Sequence, residues 1–502
     1  MKKMNWAIVA LAMLGLSQEI QAGDYLTNTN QSVSFLRNPA RDAAIGIDGV
    51  YTNPAGVAFL KEGWHLSFNW QNAHQTRTIM TAYGPLFAMN MNRPNADAAA
   101  DGLVFHEFKG VADAPVLPSI QAAYNTGRWS FQGGFSVSGG GGKCEFENGL
   151  GSFEGVIANI AYQSGMNGYS FTNYMRGKQY YFGFTLGAAY KVTDNLSVFA
   201  GARTLYGYAR YEGVVDDIML RGESTGNQVI PATNFFAGAK QQYLTAQQQY
   251  EALGMTAEAL AAAKNVLKMG ALEKITATGI HLNCKQTGVG VAPFIGVDWK
   301  LGKLNLAAKY DFKVRMRLKN DNPHMNFAEL VELLTAMSAG QTSGANQAAA
   351  LNRYIDGRKV AEDSPALLTL GAQYEISDRW RVMAGYHHFF DVDCKQYYGD
   401  KLGDTNEFNF GTEYDLTKKL QVSAGYQKTI YDQEDSNMSD ISFNVSSYTF
   451  GFGAGYQLTE KVKLNAAYFQ TNYGTKTVVE APVVNTYTRT NRVFGLGCDI
   501  TL

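Results

Sequence analysis

The chain has 502 residues and a formal net charge of −1, which leaves no electrostatic case for nucleic acid or a strongly acidic partner. Its 52 glycines and 29 tyrosines against 11 prolines suit many strands and tight turns better than a helical enzyme. Length alone leaves several soluble domains or one large barrel open.

Residues 1–22 read as a secretory signal peptide: Lys2 and Lys3, an apolar run from Trp6 to Leu16, then small Ala22 before Gly23. That run is shorter than the ~20 residues a membrane-spanning helix needs, and no cysteine stands at the cleavage site to anchor a lipid. No later stretch is apolar enough for a membrane helix, so a membrane role requires a closed barrel. Residues 23–62 carry no strand pattern, yet they are too many for a tail; they contain GIDGVYTNPAGVAFL. A first strand follows, with Trp64, Leu66, Phe68 and Trp70 on one face.

Six hairpins then share one plan: a small residue, an aromatic, a short polar turn and an alternating strand. They occupy 122–134, 187–201, 296–308, 371–385, 411–425 and 453–467. Their aromatics are Tyr124, Tyr190, Trp299, Tyr374, Tyr414 and Tyr456, with Trp129 and Trp380 answering across two turns. Amphipathic rings at every turn suit the edge of a bilayer, and short turns mark the periplasmic side of an outer-membrane barrel. Alternation agrees: from Trp380, Val382, Ala384 and Tyr386 face one way and Arg381, Met383, Gly385 and His387 the other. From Leu304, the residues Asn305, Ala307, Lys309, Asp311, Lys313 and Arg315 are expected to share an inward face. Six turns join twelve strands; the Trp64 strand and a terminal one carrying Phe494, Leu496, Cys498, Ile500 and Leu502 make about fourteen. The expected fold is therefore an all-β transmembrane barrel over 63–502, monomeric and embedded in outer-membrane lipid.

Two long connections interrupt the hairpins, near 212–287 and 320–364, and both look helical. In the first, Phe236, Tyr243, Tyr250 and Leu253 recur on one face, and Thr256 can cap a helix carrying Leu260, Ala263 and Leu267. In the second, Asn326 and Glu329 form a capping pair ahead of Leu330, Val331, Leu334 and Met337. Such helices either carry function or only cover the rim.

Chemical motifs are sparse. No HExxH is present, and SGGGGKC has the wrong glycine spacing for a phosphate loop. Alternation sends His387 and His388 to opposite faces, and Asp391, Asp393, Asp400 and Asp404 read as solvated loop charge before a calcium site. The expectation is no metal, no cofactor and no enzyme. Cys144, Cys284 and Cys394 fall in or near outer loops and Cys498 faces lipid, with pairing left open. Inward by alternation are the apolar Phe199, Leu205, Phe294, Phe389 and Phe469, expected to line a pocket. Arg203, Lys309, Arg315 and Arg381 are expected inward cations that could meet a carboxylate, or simply lumen charges with Asp311 as neutraliser.

The signal peptide, the Asn53-Pro54-Ala55-Gly56 stretch just before the first strand, the strand count and the helical outer loops together resemble the FadL/TodX family of outer-membrane transporters for hydrophobic compounds. The resemblance implies a fourteen-stranded barrel plugged by an N-terminal hatch, here residues 23–62, that carries the Asn-Pro-Ala motif. It further implies capture of a fatty acid or other hydrophobic molecule in a groove between the two helical outer loops, here Phe236, Tyr243, Leu330 and Leu334. Transfer to an inner pocket and release on hatch movement would follow. It also implies a kinked third strand open towards lipid, for which Gly133 and Gly134 are the candidates. A general porin for small hydrophilic solutes is the alternative; it would need neither the plug nor the inward phenylalanines. A lipid hydrolase would need a Ser/His/acid set that the sequence does not offer.

Overall fold

The computed structural model describes residues 32–93, 102–325, 356–394, 403–432, 434–435, 438–440 and 442–502. The signal peptide, Leu330 and Leu334 lie outside the described residues. One antiparallel sheet of eighteen hydrogen-bonded segments closes on itself. Three wall strands are each interrupted into two segments, and the pair Ile230–Pro231 lies off the wall, which makes a fourteen-stranded barrel.

In chain order the wall is β1 (Gly63–Tyr83), β2 (Phe105–Thr126), β3 (Trp129–Phe146), β4 (Gly168–Lys191), β5 (Leu196–Arg221) and β6 (Ile280–Leu301). β7 is split into Leu304–Asp311 and Arg317–Met325, and β8 into Lys359–Ala361 and Ala366–Ser377. β9 (Trp380–Phe390), β10 (Thr405–Asp415), β11 (Leu420–Ile430) and β12 (Ser447–Gln457) follow. β13 is split into Val462–Tyr473 and Lys476–Glu480, and β14 is Val483–Thr501. The wall closes where β1 meets β14, from His65 opposite Thr501 to Tyr83 opposite Val483. No helix among the described residues is long and apolar enough to cross a membrane.

The period-two pattern sets the two faces of the wall. Phe131, Phe184, Leu186, Val289, Phe410 and Phe452 are exposed on the outside, as lipid contact requires, while polar residues such as Gln132, Ser197, Asn305 and Asn409 are buried within. At the short-turn rim Trp64 packs on Tyr124 (5.0 Å between ring centroids), Trp129 on Tyr190 (4.8 Å), and Trp380 stands opposite Tyr414. These rings form the girdle that the six hairpins announce.

Two expectations for the wall need correction. Gly133 and Gly134 sit in unbroken ladder, opposite Ala122 and Gln121 on one side and Leu186 and Thr185 on the other. The irregularity of β3 lies further along: its register with β4 shifts between Val137 and Gly142, and its pairing with β2 lapses between Phe135 and Cys144. Gly140 adopts φ +96°, and a Cβ there would overlap the Gln179 carbonyl, so this close approach demands glycine. The second correction concerns β7. Alternation holds through Asp311, but the strand breaks over 312–316 and its phase reverses: Val314, Met316 and Leu318 are buried while Arg315 and Arg317 are exposed. An interruption that slips a strand by one residue turns every later side chain to the other face.

The lumen is filled from both ends. Near the short-turn rim lie residues 32–62, with helix α1 (Val33–Arg37), helix α2 (Gly49–Thr52) and a 3-10 turn at Gly56–Phe59. Inward glycines make room for them: a Cβ on Gly385 would overlap the Asp42 carboxylate, one on Gly411 the Asn38 amide, and one on Gly451 the Leu36 carbonyl. At the other end the β3–β4 connection folds inward as helix α3 (Gly151–Gln163), which the sequence reading does not anticipate. Its Phe153, Val156, Ile157 and Ile160 are buried in one apolar cluster with Ile79, Tyr83, Phe87 and Phe108. The β5–β6 insertion narrows to 222–279 and is a helical pair, α4 (Ala232–Ala252) and α5 (Thr256–Thr278). Thr256 is the first residue of α5 and provides no side-chain cap. Leu260 and Leu267 are exposed because the small Ala259 and Ala262, with Met269 and Leu272, face the packed side.

Candidate functional site

The Asn-Pro-Ala stretch is tied to three strands by hydrogen bonds. Asn53 Nδ2 donates to Asp298 Oδ2 on β6 (2.5 Å), Gln132 Nε2 on β3 donates to the Pro54 carbonyl (2.7 Å), and Ser197 Oγ on β5 to the Ala55 carbonyl (2.6 Å). Gly56 donates its N–H to Asn53 Oδ1 (3.2 Å), and a Cβ there would crowd Asn53 and Asp298. A polar turn buried against a wall must satisfy its backbone groups this way, since an unmet buried donor or acceptor costs about 1–3 kcal/mol.

Charge pairs complete the seam. Arg41 reaches Asp48 (2.5 Å) within the segment and Glu413 on β10 (2.5 Å), and Arg37 Nη2 donates to Gln421 (2.9 Å). Burial works against the Arg41 charge, but the Asp48 and Glu413 carboxylates outweigh it and hold its pKa above the ordinary arginine value. Asp42 meets His387 Nε2 (3.0 Å), whose Nδ1 lies 2.8 Å from Glu407. Lys309 donates to the Tyr51 carbonyl (2.8 Å), and Arg203 lies 4.7 Å from the Tyr51 ring centroid.

Between Tyr51 and β5–β9 lies a cavity of about 60 Å³, bounded by Arg203, Leu205, Asp311, Val314, Leu367 and Phe389. It has room for a few waters.

The structure sorts the expected pocket residues into two groups. Leu205 and Phe389 line the cavity. Phe199 and Phe294 instead pack with tilted rings (4.9 Å between centroids) and are buried with Ala55 and Ala58, while Phe469 is buried against Phe35 (6.0 Å). These three fasten the N-terminal segment to the wall. The expected cations are mostly engaged: Arg203 and Lys309 both pair with Asp311 (3.0 Å each), and Arg381 holds Asp415 through two 2.9 Å hydrogen bonds. Arg315 is turned out of the lumen. Phe236 is fully buried in the apolar cluster and Tyr243 packs at its margin, so neither is an open groove surface. His388 faces away from His387, beside Tyr386 and Asn406, and the four cysteines form no disulfide.

No family model and no curated protein matches the chain. Solved structures do. A FadL homologue of Pseudomonas aeruginosa superposes with a TM-score of 0.60 at 15% identity, covering 95% of this chain and 99% of that one. The toluene transporter TodX of P. putida gives 0.50 at 16% identity, covering 91% and 94%. With its closed wall, apolar exterior and aromatic girdle, this chain is an integral outer-membrane β-barrel with the fold of the FadL/TodX transporters.

Proposed function

We propose that the protein carries hydrophobic small molecules passively across the bacterial outer membrane. The observation that carries this reading is the filled lumen: the N-terminal segment stands at one end and the buried helix α3 at the other. A water-filled pore for hydrophilic solutes has no use for either. An apolar molecule gains roughly 0.8 kcal/mol per methylene from continuous apolar contact, which a chain of packed surfaces supplies and open water does not.

Residues 23–62 act as the hatch in this reading, with Asn53-Pro54-Ala55 as its hinge to the wall. The hydrogen bonds and ion pairs of the seam can be exchanged for water when the hatch moves, whereas a purely apolar seam could not. The outer loops collect the ligand, the cavity at Leu205 and Phe389 receives it, and the lapse between β2 and β3 offers a lateral way out. The likeness to a toluene transporter favours a hydrophobic cargo, and an uptake assay separates fatty acid from aromatic hydrocarbon.

Uptake of labelled oleate, toluene and a small sugar by cells with and without the gene tests the reading. Loss of oleate or toluene uptake with unchanged sugar entry supports transport. Slowed sugar entry with both apolar compounds untouched establishes a porin instead.

A further inference from the structure

The six short turns share a feature that neither the seam nor the lumen uses. Five of them place a lysine or arginine directly before the returning strand: Arg128 before Trp129, Lys303 before Leu304, Arg379 before Trp380, Lys419 before Leu420 and Lys461 before Val462. The β4–β5 turn has Asn195 in that place. Backbone pairing holds all six in equivalent positions, since the carbonyl of each accepts an N–H from the neighbouring wall strand. Arg128 is met by Lys191, Asn195 by Lys300, Lys303 by Glu375, Arg379 by Asp415, Lys419 by Gln457 and Lys461 by Thr501. The turns are fixed as well: 127–128, 302–303 and 378–379 are two-residue loops. In the three longer turns Thr193, Thr417 and Thr459 each accept, through Oγ1, from the N–H groups two and three residues on.

The five cations are exposed, and none forms an ion pair among the described residues. Arg128 Nη1 donates to the Val192 carbonyl (3.0 Å), which leaves the rest of its guanidinium edge outward. With Lys418, the six turns carry six cations against three carboxylates, Asp194, Asp378 and Glu460. The aromatic girdle lies immediately inside this ring: exposed Trp129 and Trp380 directly follow two of the cations. Trp and Tyr rings sit at the headgroup level of a bilayer, so cationic side chains one residue beyond them are within reach of the phosphates. The charge also recurs around the closed wall rather than gathering on one side. A soluble partner would cover one side of such a rim; lipid surrounds all of it.

We propose that this ring of turn cations binds the phosphate groups of anionic phospholipids in the periplasmic leaflet. The headgroups supply the counter-charge that the turns lack, and they hold the girdle at the interface while its aromatic rings lie against the acyl chains. Because the cations are exposed, salt screens the attraction. The inference is independent of the transport reading: a porin with the same turns would select the same lipid.

The test uses the full chain in phosphatidylcholine bilayers doped with brominated phosphatidylglycerol or brominated phosphatidylcholine, bromine being a contact quencher of tryptophan. Trp64, Trp129, Trp299 and Trp380 stand on this rim and report the lipid beside it. At low salt phosphatidylglycerol should be preferred about fivefold or more, and the preference should shrink at high salt. The combined variant Arg128→Gln, Lys303→Gln, Arg379→Gln, Lys419→Gln and Lys461→Gln should quench equally with both lipids. Asn195→Lys, which completes the ring, should raise the preference. Lys109→Gln with Lys264→Gln and Lys319→Gln, exposed at the other end, should leave it unchanged. Equal quenching of the wild type by the two lipids, or an undiminished preference in the combined variant, would overturn the proposal. Loss of the preference in inorganic phosphate, but not in chloride of matched ionic strength, would overturn it in favour of a free anion. If the combined variant does not assemble, Arg379→Gln and Asn195→Lys decide: a fall in the first with a rise in the second supports the ring, and any other result overturns it.

Discussion

The two ends of the lumen are closed in different ways. At the short-turn end, residues 32–62 add to small apolar contacts a seam of hydrogen bonds and ion pairs: Asn53 to Asp298, Arg41 to Glu413, Asp42 to His387, Lys309 to the Tyr51 carbonyl. At the long-loop end, α3 is held chiefly by apolar packing, with polar anchors at Ser152 and Glu154. The Ser152 N–H donates to Asp440 Oδ2 at 2.7 Å, and Glu154 lies 2.7 Å from both Asn90 Nδ2 and His106 Nδ1 and accepts from the Tyr169 hydroxyl at 2.9 Å. Polar contacts lose little net free energy when water replaces them, whereas apolar burial is lost in proportion to area. The first end therefore loses less than the second when water enters its polar contacts, and the filled lumen is an asymmetric one.

This contrast can be broken or sharpened by substitution. The largest effect is expected for Glu413→Gln, which leaves Arg37 and Arg41 buried without their shared carboxylate, a loss of roughly 3–5 kcal/mol. Hydrogen exchange over 32–62 should rise steeply while α3 stays protected; equal loosening of both ends would refute their independence. Ile157→Ala should cost about 2–5 kcal/mol at the other end and raise exchange in α3 alone. Gly411→Ala forces a methyl into Asn38 and should cost about 1–3 kcal/mol, seen as protease access to the N-terminal segment of an intact barrel.

Asn53→Ala leaves Asp298 with Asn305 as its remaining amide donor, a change of about 1–3 kcal/mol. Oleate or toluene uptake should fall severalfold with barrel Tm nearly unchanged, and undiminished uptake would remove Asn53 from the hinge. Tyr414→Ala, on the girdle, should have the smallest effect, about 0.5–1.5 kcal/mol of barrel stability in a bilayer. Exchange inside the lumen should not respond to it at all.

Much of the wall was legible because its determinants are local. Corners such as Tyr414-Asp415 with Thr417 turning back onto Leu420 repeat within fifteen residues, so counting them recovers the strand number. The small residue that opens several of the hairpins reads in sequence as turn punctuation; in the fold Gly371, Gly411 and Gly453 are clearance for the N-terminal segment. The break in β7 leaves no comparable trace in the sequence, so spacing alone puts Arg315 on the wrong face.

Sequence by itself determined the barrel, its strand number, its girdle and the phase of each regular strand, since each depends on spacing between near neighbours. Only the tertiary structure decided what fills the lumen, where β3 and β7 lose register and which cations already have an anion. Those outcomes rest on contacts such as Asn53 with Asp298, 245 residues apart. No local period encodes a pair so distant; it exists only once the wall has closed around the segment it holds.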